Sequence, residues 1–263
     1  MNGADRSAAR AFLARTGADA IPDPLERLSA ITRSFSVLPY ENLTKILRRA
    51  RGGSDPRRLP AEVLADHDRL GAGGTCFSLS WFLAAILAEA GFESRYRLAD
   101  RSYADASHTA LEVVVDGRGW LVDPGYLLDR PIPLDERRPV EIRLPAEGLL
   151  LEPDAAGGTW SLFTVSGTHR KFRYRLQARP AAEGDFVDRW LESFDWPMMD
   201  SLVLSRVNPA GRHYLRDVHY HFVGRQGRRQ GALEPTEGDL LRDAFGIDPA
   251  LFEEARDALA RRP

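Results

Sequence analysis

The 263-residue chain is 43% apolar and 28% charged, which excludes a disordered, collagen-like or disulfide-dense protein and leaves a packed globular fold. Lysine and arginine total 36 against 38 acidic residues, so a formal net charge of −2 offers no overall field to recruit nucleic acid or an anionic membrane. The length predicts one large domain or two compact ones.

From Ala8 to about Leu87 apolar residues recur at helical spacing, as in Leu25, Leu28 and Ile31, then Val63 and Leu64, then Phe82, Leu83, Ile86 and Leu87. Pro22, Pro24, Pro39, Pro56 and Pro60 cut this third into several short helices, because proline cannot continue a helix interior. After Gly91, a helix-ending glycine, the pattern changes to β-rich runs: Glu93–Leu98, His108–Val115, Gly119–Val122, Val140–Leu144, Ser161–Val165 and Phe172–Ala178. The last third predicts a helix near Phe186–Ser193, a strand pair near Ser201–Val207 and Tyr214–Val223, and a closing helical segment from about Thr236, interrupted at Gly246–Pro249. Helices, then antiparallel sheet or barrel, then a mixed tail is an α+β order. The predicted division is a helical domain at 1–92, a β-barrel domain at 93–185 and an α/β lid at 186–263.

Lys45 and Lys171 are the only lysines, so the arginines read as a compositional bias and single arginines carry little weight. One cysteine, Cys76, allows no internal disulfide and no cysteine-pair zinc site, which suits a reducing cytosol. The first twenty residues lack the apolar core of a signal peptide, and no run approaches the roughly 18 apolar residues of a membrane span. A cytoplasmic protein without membrane or nucleic-acid partners is expected.

Cys76 lies in Gly73-Gly74-Thr75-Cys76-Phe77-Ser78, directly before the glycine- and proline-free stretch Leu79–Ala90. That predicts a helix N-terminus with Thr75 as N-cap, where free N–H groups and the helix dipole favour a thiolate. Downstream, Asp116-Gly117 between two β runs is a strong hairpin signal. With those two residues as the loop, Val115 pairs with Arg118, and Asp123 falls opposite Ala110 on the face that carries His108, diagonal to that histidine. A slip of one residue would separate the imidazole and the carboxylate onto opposite faces. Cysteine as nucleophile, histidine as proton acceptor and aspartate to hold the histidine's tautomer make a Cys76–His108–Asp123 triad.

These residues resemble the arylamine N-acetyltransferase family, whose signature is Arg-Gly-Gly-x-Cys opening a helix, a histidine on a strand, and an aspartate in Val-Asp-x-Gly-aromatic. The matching segments are Ala72-Gly73-Gly74-Thr75-Cys76, His108, and Val122-Asp123-Pro124-Gly125-Tyr126. Leu38-Pro39-Tyr40-Glu41-Asn42-Leu43 is similar to the family's Pro-Phe-Glu-Asn-Leu element, and Leu241–Ile247 to its closing helix. The resemblance implies a cysteine-protease-like core with a helical bundle, an antiparallel β-barrel and an α/β lid. It also implies ping-pong transfer of an acetyl or other acyl group from a CoA thioester to an arylamine or hydrazine through an acyl-cysteine. Acetyl-CoA or another acyl thioester is then a co-substrate, with no tightly bound cofactor and no metal. Tyr40, Phe77, Gly125 and Tyr126 are expected to line the substrate pocket.

The family's arginine is Ala72 here, and its usual glutamate and asparagine after the cysteine are Ser78 and Ser80. Glu41 is therefore expected to find its cation among nearby arginines. Two alternatives keep the same triad: an amide synthase using a carrier-protein-bound acyl chain, and a transglutaminase-like hydrolase. Gly71–Gly74 lacks the Gly-Lys-Ser/Thr of a phosphate loop, and His219 with His221 lacks a third metal ligand, so neither motif is given a function. Arg48, Arg49 and Arg51 with Arg57 and Arg58 form a basic cluster that could meet CoA phosphates or a carrier protein.

Overall fold

Proline and aspartate set where several helices begin. In the computed structural model, which describes residues 2–144, 147–155, 157–224, 227–232 and 240–261, Pro24, Pro60 and Pro249 each stand in the first turn of a helix. The N-terminal third holds α1 (Gly3–Thr16), α2 (Pro24–Phe35), α3 (Leu43–Arg51), α4 (Pro60–Leu70) and α5 (Cys76–Glu89). Helix α5 is apolar nearly all round and runs through the core, with α1, α2 and α4 against it. Phe12, Phe35 and Phe82 meet edge-on there at centroid separations of 5.5–5.6 Å.

The middle of the chain forms a nearly closed eight-stranded antiparallel barrel in the order β5-β4-β3-β2-β9-β8-β7-β6. Its strands are β2 (Ser94–Arg101), β3 (Ala104–Val115), β4 (Arg118–Val122), β5 (Ile132–Pro133), β6 (Val140–Arg143), β7 (Gly148–Pro153), β8 (Trp160–Ser166) and β9 (His169–Leu176). The β3–β4 hairpin has the expected register, from Val115↔Arg118 to Leu111↔Val122. Asp116 (φ 49°) and Gly117 (φ 73°) form its two-residue turn, both in the left-handed region that suits strand twist. Strand β7, a short Leu149–Leu151 apolar run, was not among the expected strands.

A second sheet, β1-β10-β11-β12-β13, ties the two ends of the chain together. It pairs the two-residue β1 (Tyr40–Glu41) with β10 (Val203–Asn208), followed by β11 (Gly211–Arg216), β12 (His219–Gly224) and β13 (Gly227–Ala232). The expected single strand Tyr214–Val223 is corrected to two, because Asp217 at φ 53° turns the chain between β11 and β12. Helix α6 (Glu183–Glu192) precedes this sheet. The start of the expected closing helix falls within 233–239, outside the described residues. The remainder is a π-helical turn at Leu241–Phe245, a break at Gly246 (φ 66°), and α7 (Pro249–Ala260). Among the described residues no helix is long and apolar enough to cross a membrane.

Candidate active site

Cys76 is the first residue of α5, and the backbone ahead of it is held by close approach rather than by a side-chain cap. A Cβ on Gly73 would stand 1.8 Å from the Pro39 carbonyl oxygen, so only glycine lets the strand carrying Tyr40 lie against this turn. Thr75 occupies the N-cap position, but its side chain makes no cap hydrogen bond. The expected threonine cap is absent, and the first-turn N–H groups beside the sulfur are left without that partner.

His108 comes from β3 and Asp123 from just beyond β4, and the structure brings both to Cys76. His108 Nε2 donates to Asp123 Oδ2 at 2.8 Å, with both side chains fully buried. Asp123 is further held by the Tyr174 hydroxyl at 2.7 Å and the Tyr126 backbone N–H at 2.8 Å. The Cys76 thiol and the imidazole interact, and the bond and charge of each shift the ionisation of the other. A Cβ on Gly125 would lie 2.5 Å from Cys76 Cβ and 3.0 Å from His108 Cε1. Gly125 is therefore wedged between nucleophile and imidazole, where any side chain would part them.

Electrostatics favour the thiolate. Burial works against ionisation of Cys76, but the hydrogen bond and charge of His108, with Arg101 and Lys45 nearby, outweigh it and lower the thiol pKa. Burial likewise opposes charge on His108, yet Asp123 and the bond to Cys76 lift it to about 8. Asp123 stays below the usual carboxylate range: burial pushes it up, and His108, Tyr174 and the Tyr126 N–H more than reverse that.

The other expected residues are divided. Tyr40 and Cys76 share one buried cluster with Phe77, Leu98, Phe186 and Trp190. Phe77 is 1% exposed and packs on Phe186 and Trp196, which is core packing around the nucleophile. Tyr126 packs edge-on against Tyr174, with the Arg212 guanidinium 4.7 Å from its ring centre. His219 and His221 lie on β12, and among the described residues no group of three or more histidine, cysteine or acidic side chains is placed to hold a metal.

Three residues around the site escaped sequence reasoning: Tyr174, Lys45 and Arg101. Tyr174 sits inside an ordinary strand pattern. Lys45 lies buried behind α5, with its ammonium on Ser193 O at 2.9 Å and on the Ser193 hydroxyl; burial lowers it to about 7. Arg101, at the end of β2, donates from Nη2 to His108 Nδ1 at 3.1 Å. Guanidinium has only donors, so Nδ1 here is the acceptor and Nε2 carries the proton given to Asp123.

Glu41 does find another arginine. Arg58 Nη1 donates to Thr44 Oγ1 at 2.7 Å and to the Gly73 carbonyl at 2.8 Å, and stands 3.5 Å from Glu41 Oε1. Glu41 accepts from the Thr44 hydroxyl and backbone N–H at 2.6 and 2.9 Å. Arg49 and Arg51 of the basic cluster line an open groove of about 500 Å³ between α3 and α7, which contains none of Cys76, His108 or Asp123.

Comparison with known proteins bears on the fold and the family. A family model described as N-acetyltransferase matches residues 24–251. Among solved structures, the arylamine N-acetyltransferase of Mycobacterium abscessus superposes with a TM-score of 0.77 at 21% identity, covering 97% of this chain and 95% of that one. The Nocardia farcinica enzyme gives 0.76 at 23%, with coverage of 97% and 95%. The Mycobacterium marinum enzyme, solved in complex with CoA, gives 0.73 at 23%, with 91% and 93%. No curated protein matches by sequence. The amide-synthase and hydrolase alternatives and the carrier-protein partner draw no support from these relatives. A family match over most of the chain, together with the shared fold, places this protein in the arylamine N-acetyltransferase family.

Proposed function

We propose that the protein transfers an acyl group from a CoA thioester to an arylamine or hydrazine by a ping-pong route through acyl-Cys76. The observation that carries this reading is the buried His108–Asp123 pair presented to a cysteine at an uncapped helix start. In the first half-reaction the Cys76 thiolate attacks the thioester carbonyl, and the first-turn N–H groups of α5 are positioned to receive the oxyanion. The bond from carbonyl to CoA sulfur breaks, and His108 returns its proton to the leaving thiolate. In the second half-reaction the amine nitrogen attacks the acyl-cysteine, His108 Nδ1 takes its proton, and the Cys76 thiolate is released. Asp123 keeps the imidazole oriented and stabilises its charged form. Tyr40 and Tyr126 supply apolar faces for a flat acceptor.

The test is intact mass spectrometry of the protein mixed with acetyl-CoA. One acyl group is expected on Cys76, discharged on adding an arylamine and absent in Cys76→Ala. A wild-type protein unmodified by acetyl-, propionyl- and longer acyl-CoAs would exclude the reading.

A further inference from the structure

One cation beside the nucleophile, Arg101, is not balanced by the side chains around it. Arg101 is held by polar atoms alone: Nη2 on His108 Nδ1 at 3.1 Å and Nη1 on the Tyr103 hydroxyl at 3.1 Å. Its Nε is buried without a hydrogen-bond partner. No carboxylate among the described residues lies within ion-pair distance of it. Burial opposes its charge, and the groups that favour it, Tyr40, Tyr103 and Cys76, include no carboxylate. Lys45, on the other side of the sulfur, is held by the carbonyl and hydroxyl of Ser193. Asp123 is committed to His108, Tyr174 and the Tyr126 N–H.

In the resting state the Cys76 thiolate is matched by the His108 imidazolium, which leaves Arg101 without an anion of its own. Acylation, with return of the His108 proton to the leaving thiolate, removes both of those charges together and leaves the excess on Arg101 unchanged. The guanidinium therefore stands beside the His108 imidazole with an unused buried donor and no anion, which is a costly arrangement. It also continues to occupy Nδ1, the atom that must accept the proton of the incoming amine.

We propose that Arg101 makes this site select acyl thioesters whose acyl chain ends in a carboxylate, the half-thioesters of short dicarboxylic acids. This rests on the acyl-cysteine reading above. The carboxylate accepts from Nε and Nη2 as a paired, charge-assisted contact. In doing so it gives the guanidinium an anion and draws it off Nδ1, freeing the base for the second half-reaction. Placement of Arg101 follows from the sheet: Ala99 pairs with His108, and Arg101, two residues on, shares that face. The register then shifts to Arg101↔Ala104, with Ala106 at φ 47° and its N–H held by Asp100 at 2.8 Å. This irregularity lies in β3, across from Arg101, whose Nη2 reaches His108.

The experiment compares near-isosteric donor pairs, succinyl-CoA with butyryl-CoA and malonyl-CoA with propionyl-CoA, by the rate at which each labels Cys76 in intact-mass time courses. The wild-type protein is expected to favour the carboxylated member of each pair by about tenfold or more. In Arg101→Gln the ratio within each pair falls to about one or below, whatever the absolute rate, and in Arg101→Lys it is partly retained. Equal or faster labelling by the neutral donors overturns the proposal, as does a carboxylate preference that Arg101→Gln leaves intact. A third arm loads the enzyme with butyryl groups and compares 4-aminobenzoate with aniline as acceptor. A carboxylate preference found only there, and lost in Arg101→Gln, moves the anion to the acceptor and overturns the assignment to the acyl chain. Failure of every thioester to label Cys76 instead rejects the underlying function.

Discussion

The two sides of Cys76 are built from different materials. In front of the sulfur, His108, Asp123 and Arg101 all come from the consecutive strands β2, β3 and β4 or their ends, and their bonds run toward the thiol. Behind it, Glu41, Thr44, Lys45 and Arg58 come from β1, α3 and the segment before α4, and their bonds run to backbone and hydroxyl groups, such as the carbonyls of Gly73 and Ser193. On the proposed reading the front does the chemistry and the back fixes the turn that delivers the nucleophile. The difference explains how the family arginine can be lost at position 72 without loss of the site. A structural cation needs only to reach the Gly73 carbonyl and Glu41, and Arg58 reaches both from a different point in the chain.

Breaking the front is expected to have the largest effect. Asp123→Asn keeps the size of the side chain but removes the charge that orients and supports imidazolium, so arylamine acetylation by kcat/KM should fall by about 10⁴-fold with the fold intact. Breaking the back should act on stability instead. Arg58→Met leaves the fully buried Glu41 carboxylate without its cation and is expected to cost about 3–5 kcal/mol in urea unfolding. Labelling of Cys76 by acetyl-CoA should survive at temperatures where the variant remains folded. If Arg58→Met abolished labelling in a folded protein, the division between the two sides would be wrong.

The same division decides what could be read in advance. The front was legible because it is local: one Asp-Gly turn fixes the register of β3 on β4, and the register fixes which face His108 and Asp123 share. The start of α5 was legible from its glycines and from the unbroken apolar run that follows. Arg58 and Arg101 were hidden by composition, since in a chain with two lysines among 36 cationic residues one arginine does not stand out. The β1–β10 pairing was hidden by distance, because a two-residue strand has no periodicity and its partner lies some 160 residues on. The split at Asp217 was missed because no glycine or proline marks it; an aspartate takes the left-handed conformation there.

The two sides also titrate in opposite senses. His108 is raised to about 8 from 6.5, so the stability it lends is full below pH 6.5 and is lost as pH rises through 8. Lys45 is lowered to about 7 from 10.5 by burial, so its contribution is most favourable above pH 10.5 and is lost as pH falls to 7. Lys45→Met removes a buried ammonium from beside Phe194 and should stabilise the protein by on the order of 3 kcal/mol below pH 7, with the gain vanishing toward pH 10. Urea midpoints of the variant and wild type across that range would show the difference as a rise with pH that wild type adds to the His108 slope both proteins share. Equal slopes would mean that Lys45 keeps its proton throughout, and that the back of the site stays as cationic as the front.

The smallest expected effect tests the helix start that joins the two sides. An N-cap substitution ordinarily costs about 1 kcal/mol, as Asp23→Ala should in α2, where the aspartate accepts the Glu26 N–H at 2.8 Å. Thr75 makes no such bond, so Thr75→Ala should change stability by less than about 0.5 kcal/mol in the same denaturation measurement. The contrast matters for chemistry more than for stability. N–H groups satisfied by a threonine hydroxyl would have to give up that bond before receiving an oxyanion, whereas uncapped ones receive it directly. A loss for Thr75→Ala as large as for Asp23→Ala would show that the hydroxyl closes the helix start in solution, and the oxyanion would then need its donors from the Gly125 loop or from Arg101.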